Sequence, residues 1–200
     1  MSVPFTYAAI DFETTGSVAG YPVEPWQVGV VMCQPGEEPV YWESYLRIGE
    51  RPFHPRAPGR HAKIRQKLKQ APSLEECLKD LRRLCVGIPL LAHNCATEIN
   101  CLKRSLAMER FGPWIDSLTL SRSAWPTLSS HKLEDLLSQL NLEQQIAEKF
   151  PDRQAHDALY DAYASSLLLE YLLKQPGWNK VSVDVLMNPD VQGYYRQKRN

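Results

Sequence analysis

The sequence has no long hydrophobic run, no excess of charge of either sign and no recognisable leader at its N terminus. Its longest leucine-rich stretch, residues 167–173, is interrupted by Glu170 and is far shorter than the ~20 apolar residues that a transmembrane helix needs. A positively charged start followed by an apolar segment and a small-residue cleavage site is also missing. We therefore expect no membrane partner.

Cysteine occurs at only five positions, and no two of them show the C-x-x-C spacing of a zinc or redox motif. The odd number argues against a disulfide framework. A reducing cytoplasm is the compartment that this cysteine usage favours. The five residues are Cys33, Cys77, Cys85, Cys95 and Cys101.

Acidic and basic side chains balance, with 23 of each and a formal net charge of zero. The molecule as a whole is therefore not a general binder of polyanions. Residues 51–70 depart from this balance because they contain seven Lys or Arg and no acid. Such a segment attracts phosphate groups, although a solvated loop and helix face is an equally good interpretation of the segment alone. The seven are Arg51, Arg56, Arg60, Lys63, Arg65, Lys67 and Lys69.

Length and pattern predict an α/β fold. The 200 residues, 44% of them apolar, suffice for one core with or without a tail. Valine-rich runs separated by turn residues predict an antiparallel meander. Alternating helical and short apolar stretches then predict a mixed five-stranded sheet with helices on both faces. The predicted strands cover residues 5–12, 24–33, 39–46, 88–92 and 114–116, and the predicted helices begin near Ser73, Cys95, Ser130 and His156.

The first acidic motif is AAIDFETTG, residues 8–16, in which an apolar run ends at Asp11 and Glu13. Side chains two apart on a strand point to the same face, so these carboxylates lie close together. Their repulsion is usually relieved by a divalent cation, and all-oxygen ligands favour magnesium or manganese. The alternative is a strand that ends in two solvated acids. Thr14, Thr15 and Gly16 are small enough for backbone amides to approach an anionic or hydroxyl-bearing ligand.

The second motif is AHNCATE, residues 92–98, where a buried strand leads into a helix. Glu98 lies in the first turns of that helix. A metal ligand and a carboxylate that only interacts with the helix dipole are equally good interpretations of this position. His93 is either a functional group or a hydrogen-bonded histidine at the end of a strand.

The third motif is HDALYDA, residues 156–162. His156 and Asp161 are five apart, about 140° around a helix, so they converge only if His156 precedes the helix or lies in its first turn. Asp157 and Asp161 are four apart and share a face. Spacing alone therefore leaves Asp157 as a rival ligand or as a first-turn residue stabilised by the helix dipole.

The order of the three motifs resembles the DnaQ-like (DEDDh) 3′–5′ exonucleases, which include the proofreading subunit of the bacterial replicative polymerase. The resemblance covers about residues 7–173 and includes linking stretches such as EPWQVGVV and HKLEDLLSQLNL. It implies a ribonuclease H-like fold. We accordingly expect an exonuclease domain over residues 1–175 and a C-terminal tail over residues 176–200.

The resemblance also implies roles for individual residues. Asp11, Glu13 and Asp161 become ligands of two Mg²⁺ or Mn²⁺ ions, and His156 becomes the general base. Glu98 takes the acidic position of the second motif, where the family usually has aspartate. The match selects Asp161 over Asp157, because the family's histidine lies five residues before its last aspartate. The residues expected beside the terminal nucleotide are Phe12, Thr14, Thr15, His93 and Asn94.

The expected activity is hydrolysis of single-stranded or frayed 3′ ends, DNA favoured over RNA, to nucleoside 5′-monophosphates. Phe12 and Trp26 are candidates for base stacking, although core packing is an alternative for both and the better interpretation for Trp26. A DNA polymerase and a second copy of the chain are candidate partners. The alternative function is a weakly catalytic or non-catalytic module that binds nucleic-acid ends or a polymerase.

Overall fold

The computed structural model describes residues 3–57 and 61–199, and at residues 61–63 it describes the backbone alone. Five strands form one mixed sheet in the order β3-β2-β1-β4-β5. The first three strands are antiparallel neighbours, and β4 and β5 run parallel to β1. The predicted five-stranded sheet and its meander are confirmed. The strands are β1 Tyr7–Thr14, β2 Pro25–Cys33, β3 Val40–Tyr45, β4 Leu90–Ala92 and β5 Trp114–Asp116.

The helices that the sequence predicts are present, with shifted ends. Ser73 and Glu76 form the expected reciprocal capping bonds, but regular helix begins only at Leu78. Three connecting helices and two helices after α7 had no counterpart in the sequence pattern. The helices are α1 His61–Leu68, α2 Leu78–Cys85, α3 Ala96–Ser105, α4 Ser117–Ala124, α5 Leu133–Gln139, α6 Glu143–Lys149, α7 Ala158–Leu173, α8 Val183–Met187 and α9 Gln192–Gln197.

Helices cover both faces of the sheet, as predicted. The period of two along β1 sends Tyr7 and Ala9 into one core, which α7 completes. Ala8, Ile10 and Phe12 enter the opposite core, which contains apolar side chains of α2 and α3. Asp11 and Glu13 continue the odd-numbered series and therefore point towards the side of α7.

Strand β1 is longer than the strand beside it, and this opens the end of the sheet. β4 pairs with β1 only at Ala8 and Ala9. The last residues of β1, which include Asp11 and Glu13, pair on one side alone, with β2. The start of α3 therefore lies beside the open edge of β1, where a strand would otherwise continue.

The start of α7 lies directly on β2 at Gly29. A Cβ atom at this glycine would stand 2.3 Å from the amide nitrogen of Leu159 and 2.4 Å from the carbonyl carbon of Ala158. Gly29 is also the ladder partner of Asp11. The missing side chain thus lets the helix that carries Asp161 approach the strand that carries Asp11.

The segment after α7 packs against the domain. The side chain of Leu186 in α8 is fully buried in the same core as α7. α8 contacts β5, and α9 contacts α4. The predicted tail, residues 176–200, therefore contains ordered helices in its described part, while Asn200 lies outside the described residues.

Two observations concern the helices and the cysteines. Among the described residues, none of the helices has the length and apolar character that crossing a membrane requires. The five cysteines, all in the described part of the chain, are buried thiols.

We predict that Gly29→Ala lowers the free energy of unfolding by about 1–3 kcal/mol, because the new methyl group meets backbone rather than a flexible side chain. Urea unfolding followed by circular dichroism measures the change. Gly193→Ala is the matched control, because a Cβ there enters open space. Equal stability of the Gly29→Ala variant and the wild-type protein would contradict the close approach of α7 to β2.

Candidate active site

The three acidic motifs meet at one edge of the sheet. β1, β4 and β5 are parallel, so their carboxyl ends lie together, and α3 and α4 begin just beyond β4 and β5. A cleft of about 650 Å³ opens at this edge. The predicted site residues that line it are Asp11, His93, Asn94, His156 and Asp161.

Asp11 lies at the centre of the acidic group. Burial raises the pKa of its carboxyl well above the ordinary value, and the charges of Asp161, Glu98 and Glu13 raise it further. Burial also raises the pKa of Glu13 to about 8, with contributions from Asp161, Asp157 and Glu98. The four predicted carboxylates are therefore near enough to oppose one another's ionisation.

Glu98 lies at the start of α3 with only 3% of its surface exposed. Burial raises its pKa to about 7, and backbone N–H groups of Glu98 itself and of Phe12 partly offset this effect. Among the described residues, its Oε2 atom is buried without a hydrogen-bond partner. A buried polar atom without a partner is costly, so this oxygen has the character expected of a ligand for a cation.

His156 and Asp161 converge because His156 lies before α7. The histidine backbone has φ +66°, and its N–H donates to Asp161 Oδ2 at 3.0 Å. Burial raises the pKa of Asp161 to about 7. Glu13, His156 and Asp161 each present a potential ligand atom, and these atoms lie within 4.8 Å of one another.

His156 has a second carboxylate neighbour that the sequence did not indicate. Its Nε2 atom lies 3.2 Å from Glu134 Oε1, at the first turn of α5. Both side chains are about half exposed. Glu134 therefore orients the imidazole ring without closing it off from the cleft.

Asp157, the rival ligand, is engaged in holding the loop. Its Oδ1 atom accepts hydrogen bonds from the Tyr160 amide at 3.2 Å and from Arg153 Nη1 at 2.7 Å. Its Oδ2 atom accepts from Gln27 Nε2 at 3.3 Å. Arg153 also binds Glu43 on β3. Asp157 is thus the N-cap of α7, and its contacts hold the backbone directly after His156.

The residues after Asp11 and Glu13 support the strand end. Thr15 is 1% exposed, its N–H donates to the carbonyl of Glu24, and its hydroxyl accepts from the Glu24 amide. The hydroxyl of Thr14 accepts weakly from the Gly16 amide at 3.4 Å. Phe12 is buried in the core beside α2 and α3. The polar groups of Thr15 and the ring of Phe12 are therefore already occupied by protein.

His93 and Asn94 lie on the cleft and differ in their surroundings. Both ring nitrogens of His93 have partners at 2.9 Å, Ser117 Oγ and the carbonyl of His131, and burial lowers its pKa. Asn94 is exposed with φ +70°, and its backbone N–H donates to Asp116 Oδ1. Asp116 also caps α4, which joins the loops after β4 and β5.

The cleft lining includes neither Trp26 nor any described side chain of the basic segment, residues 51–70. Trp26 is buried and stacks on Tyr45 at 6.4 Å, so core packing is its role. Lys67 lies over Tyr45 and Arg65 over Phe53. Arg60 and the side chain of Lys63 fall outside the described residues.

Several cleft residues were missed by the sequence reasoning. The stretch HKLEDLL predicted a helix and no site residue, yet it contributes His131, Lys132 and Glu134 to the cleft. Arg122 and Tyr194 had no signal, because neither lies near an acidic motif.

The exonuclease family, RNase_T, matches residues 8–169. DNA polymerase III PolC-type from Bacillus subtilis strain 168 is 28% identical over 174 residues, which is 84% of this chain but 11% of the polymerase. 3′-5′ exonuclease DinG from Staphylococcus saprophyticus is 28% identical over 134 residues, 65% of this chain and 15% of that protein. The chain thus spans only about a tenth of the polymerase.

Solved structures share the fold. Exonuclease X in complex with 5′ overhanging duplex DNA has a TM-score of 0.65, with 24% identity, 91% coverage of this chain and 98% of that one. Pop2p from S. pombe, in a form with Mg²⁺ and Mn²⁺ bound, has a TM-score of 0.60, with 13% identity, 94% coverage of this chain and 89% of that one. By its sequence and its ribonuclease H-like fold, the chain belongs to the exonuclease family, among the DnaQ-like 3′–5′ exonucleases.

Proposed function

We propose that this chain is a divalent-cation-dependent 3′–5′ exonuclease that hydrolyses single-stranded or frayed 3′ ends to nucleoside 5′-monophosphates. The observation that carries the proposal is the proximity of Asp11, Glu13, Glu98 and Asp161, each with a raised pKa, beside the cleft that Asp11 and Asp161 line. A cluster of this kind costs folding energy, which a site for a charged ligand explains.

The four carboxylates suit hard cations. Two Mg²⁺ or Mn²⁺ ions are proposed, held by Asp11, Glu13 and Asp161, with Glu98 contributing directly or through water. The buried Oε2 atom of Glu98, without a partner among the described residues, supports this assignment. Such ions neutralise a phosphate and stabilise the attacking and leaving oxygens. The longer side chain of Glu98, compared with aspartate, is expected to affect rate and metal preference more than reaction type.

His156 is the proposed general base. It is exposed, adjoins the cleft and lies beside Asp161. It accepts a proton from the water whose oxygen attacks the last phosphodiester. The bond between phosphorus and the 3′ oxygen breaks, the mononucleotide keeps the 5′ phosphate, and the 3′ oxygen takes a proton from solvent. Glu134 holds the imidazole in place, with its Oε1 atom 3.2 Å from His156 Nε2.

The proposed substrate follows from the size of the cleft. About 650 Å³ accommodates a nucleotide or two but not a duplex. DNA is the proposed substrate, with RNA as the other candidate. Asn94 and Thr14 are proposed to contact the terminal nucleotide, with Thr15, Phe12 and His93 supporting that surface.

The domain boundary, the upstream substrate contacts and the partners are also proposed. Residues 1–175 form the proposed catalytic domain. Arg65 and Lys67 are proposed to follow the upstream phosphates, although both now rest on aromatic rings. A DNA polymerase is a proposed partner, because PolC-type polymerases carry the matched stretch within a longer chain. A second copy of the chain is the other proposed partner.

We predict that Asp161→Asn and Asp11→Asn each reduce magnesium-dependent release of mononucleotides by more than about 10²-fold, because one ligand charge is lost. A 5′-labelled oligonucleotide resolved on a gel measures this rate. Asp152→Asn is the control, an exposed acid in the turn before His156. Full activity of either variant would overturn the proposal, whereas tight binding without cleavage by the wild-type protein would favour the binding module.

We predict that His156→Ala lowers kcat by about 10²–10⁴-fold and leaves KM within a few fold, because a general base acts in the transition state. Steady-state digestion of the same oligonucleotide separates the two constants. A loss of equal size in KM and kcat would make His156 a structural residue.

The raised pKa of Glu13 predicts a pH-dependent loss of stability when divalent ions are chelated. Its pKa is about 8 in the folded protein against an ordinary 4.5, so folding favours the protonated form. The stability from this group is complete below the ordinary value and is lost as the pH rises through about 8. The melting temperature of Glu13→Gln, relative to that of the wild-type protein, should therefore rise as the pH increases from about 5 to about 8.

Thermal unfolding in EDTA measures this difference. The same measurement in Mg²⁺ should show that the ion restores the stability of the wild-type protein at high pH. Glu37→Gln, at an exposed position, is the control. Parallel pH profiles for Glu13→Gln and the wild-type protein in EDTA would exclude Glu13 from the acidic cluster.

A further inference from the structure

One wall of the cleft comes from outside the three acidic motifs. It is an aromatic and basic surface made by Tyr194 on α9, Arg122 on α4 and His131 just before α5. These side chains line the same cleft as Asp11 and Asp161. The wall and these carboxylates therefore border the same cleft, which a nucleotide would occupy.

The ring of Tyr194 is held in a fixed position. Its centroid lies 5.2 Å from that of His131, with the rings nearly perpendicular at 84°. The guanidinium of Arg122 packs over the ring at 5.1 Å. Lys198 also approaches, at 5.7 Å, but it is an exposed side chain that an incoming ligand can displace. A ring fixed in this way loses little entropy when a ligand packs on it.

Arg122 adds a cation with an unused donor. Its Nε atom is buried and has no hydrogen-bond partner among the described residues. Lys132 lines the same cleft. An aromatic ring next to cationic groups suits a nucleotide, whose base packs on the ring while its phosphates attract the cations.

The position of the wall depends on the segment after α7. Leu186 of α8 is buried in the domain core, and α9 contacts α4 beside Arg122. The two helices therefore bring Tyr194 to the cleft from a part of the chain that the exonuclease family match, residues 8–169, does not include.

We propose that Tyr194, held by Arg122 and His131, contacts a base at the 3′ end of the substrate and determines how well that end is accepted. Residues 176–199 are then part of the substrate site. The proposal rests on the exonuclease function proposed above, and it adds a specificity-determining residue to that function.

The test compares Tyr194→Ala with the wild-type protein on single-stranded oligonucleotides of one sequence. One has ordinary bases, and the others have an abasic tetrahydrofuran residue at the last or the next-to-last position. We expect Tyr194→Ala to raise KM by ~10-fold or more on the ordinary substrate, since stacking on one ring has this magnitude. On the abasic substrate that lacks the base contacted by Tyr194, the two proteins should have the same KM.

Two variants separate base contact from structural support. Tyr194→Phe keeps the ring and should retain the wild-type KM. Tyr21→Ala removes a half-exposed ring that does not line the cleft, and should also leave KM unchanged. Thermal unfolding checks that each variant is folded, and Tyr194→Leu replaces Tyr194→Ala if the alanine variant is not.

An unchanged KM for Tyr194→Ala on the ordinary substrate would overturn the proposal. An equal rise in KM on the ordinary substrate and on both abasic substrates would also overturn it, because Tyr194 would then only anchor α9. Absence of cleavage by the wild-type protein would instead contradict the exonuclease function. In that case the Kd values of the same oligonucleotides, from fluorescence anisotropy, decide the role of Tyr194. The proposed base contact would be supported if the wild-type protein binds ordinary ends more tightly than abasic ends and Tyr194→Ala abolishes this difference.

Discussion

Repulsion among four carboxyl groups is the constraint around which this end of the molecule is built. Asp11, Glu13, Glu98 and Asp161 are removed from bulk water and placed near one another, and each has a raised pKa. Burial of this kind opposes folding unless a cation or a proton balances the charge. The exonuclease family match supplies the context in which such a cost has a purpose.

The surrounding structure overcomes that repulsion through close backbone approach and fixed loops. Gly29 lets α7 lie against β2, which brings the first turn of α7 over the end of β1. Asp157 ties the start of α7 to Arg153 and Gln27. Asp116 joins the loops that follow β4 and β5. These contacts are what a repulsive cluster needs, because its members would otherwise move apart.

The fold and the acidic cluster could be predicted from the sequence because their signals are local. Valine-rich runs, turn residues and short apolar stretches were enough for the sheet, whereas the family resemblance was needed to pair His156 with Asp161 rather than Asp157. The remainder depends on contacts between distant residues. Tyr194, Arg122 and Gln27 acquire their positions only through packing, and the capping role of Asp157 appears only with its partners in place. The burial of Thr15 likewise follows from its pairing with Glu24, which no local pattern announces.

The four carboxylates are proposed to form one cation site. Anomalous diffraction at the manganese edge, from crystals grown with Mn²⁺ and a nucleoside 5′-monophosphate, shows whether they do. We expect two manganese peaks among Asp11, Glu13, Glu98 and Asp161, and their loss in crystals of Asp161→Asn. Crystals that diffract well, contain the nucleotide and show no anomalous peak at the end of β1 would contradict it.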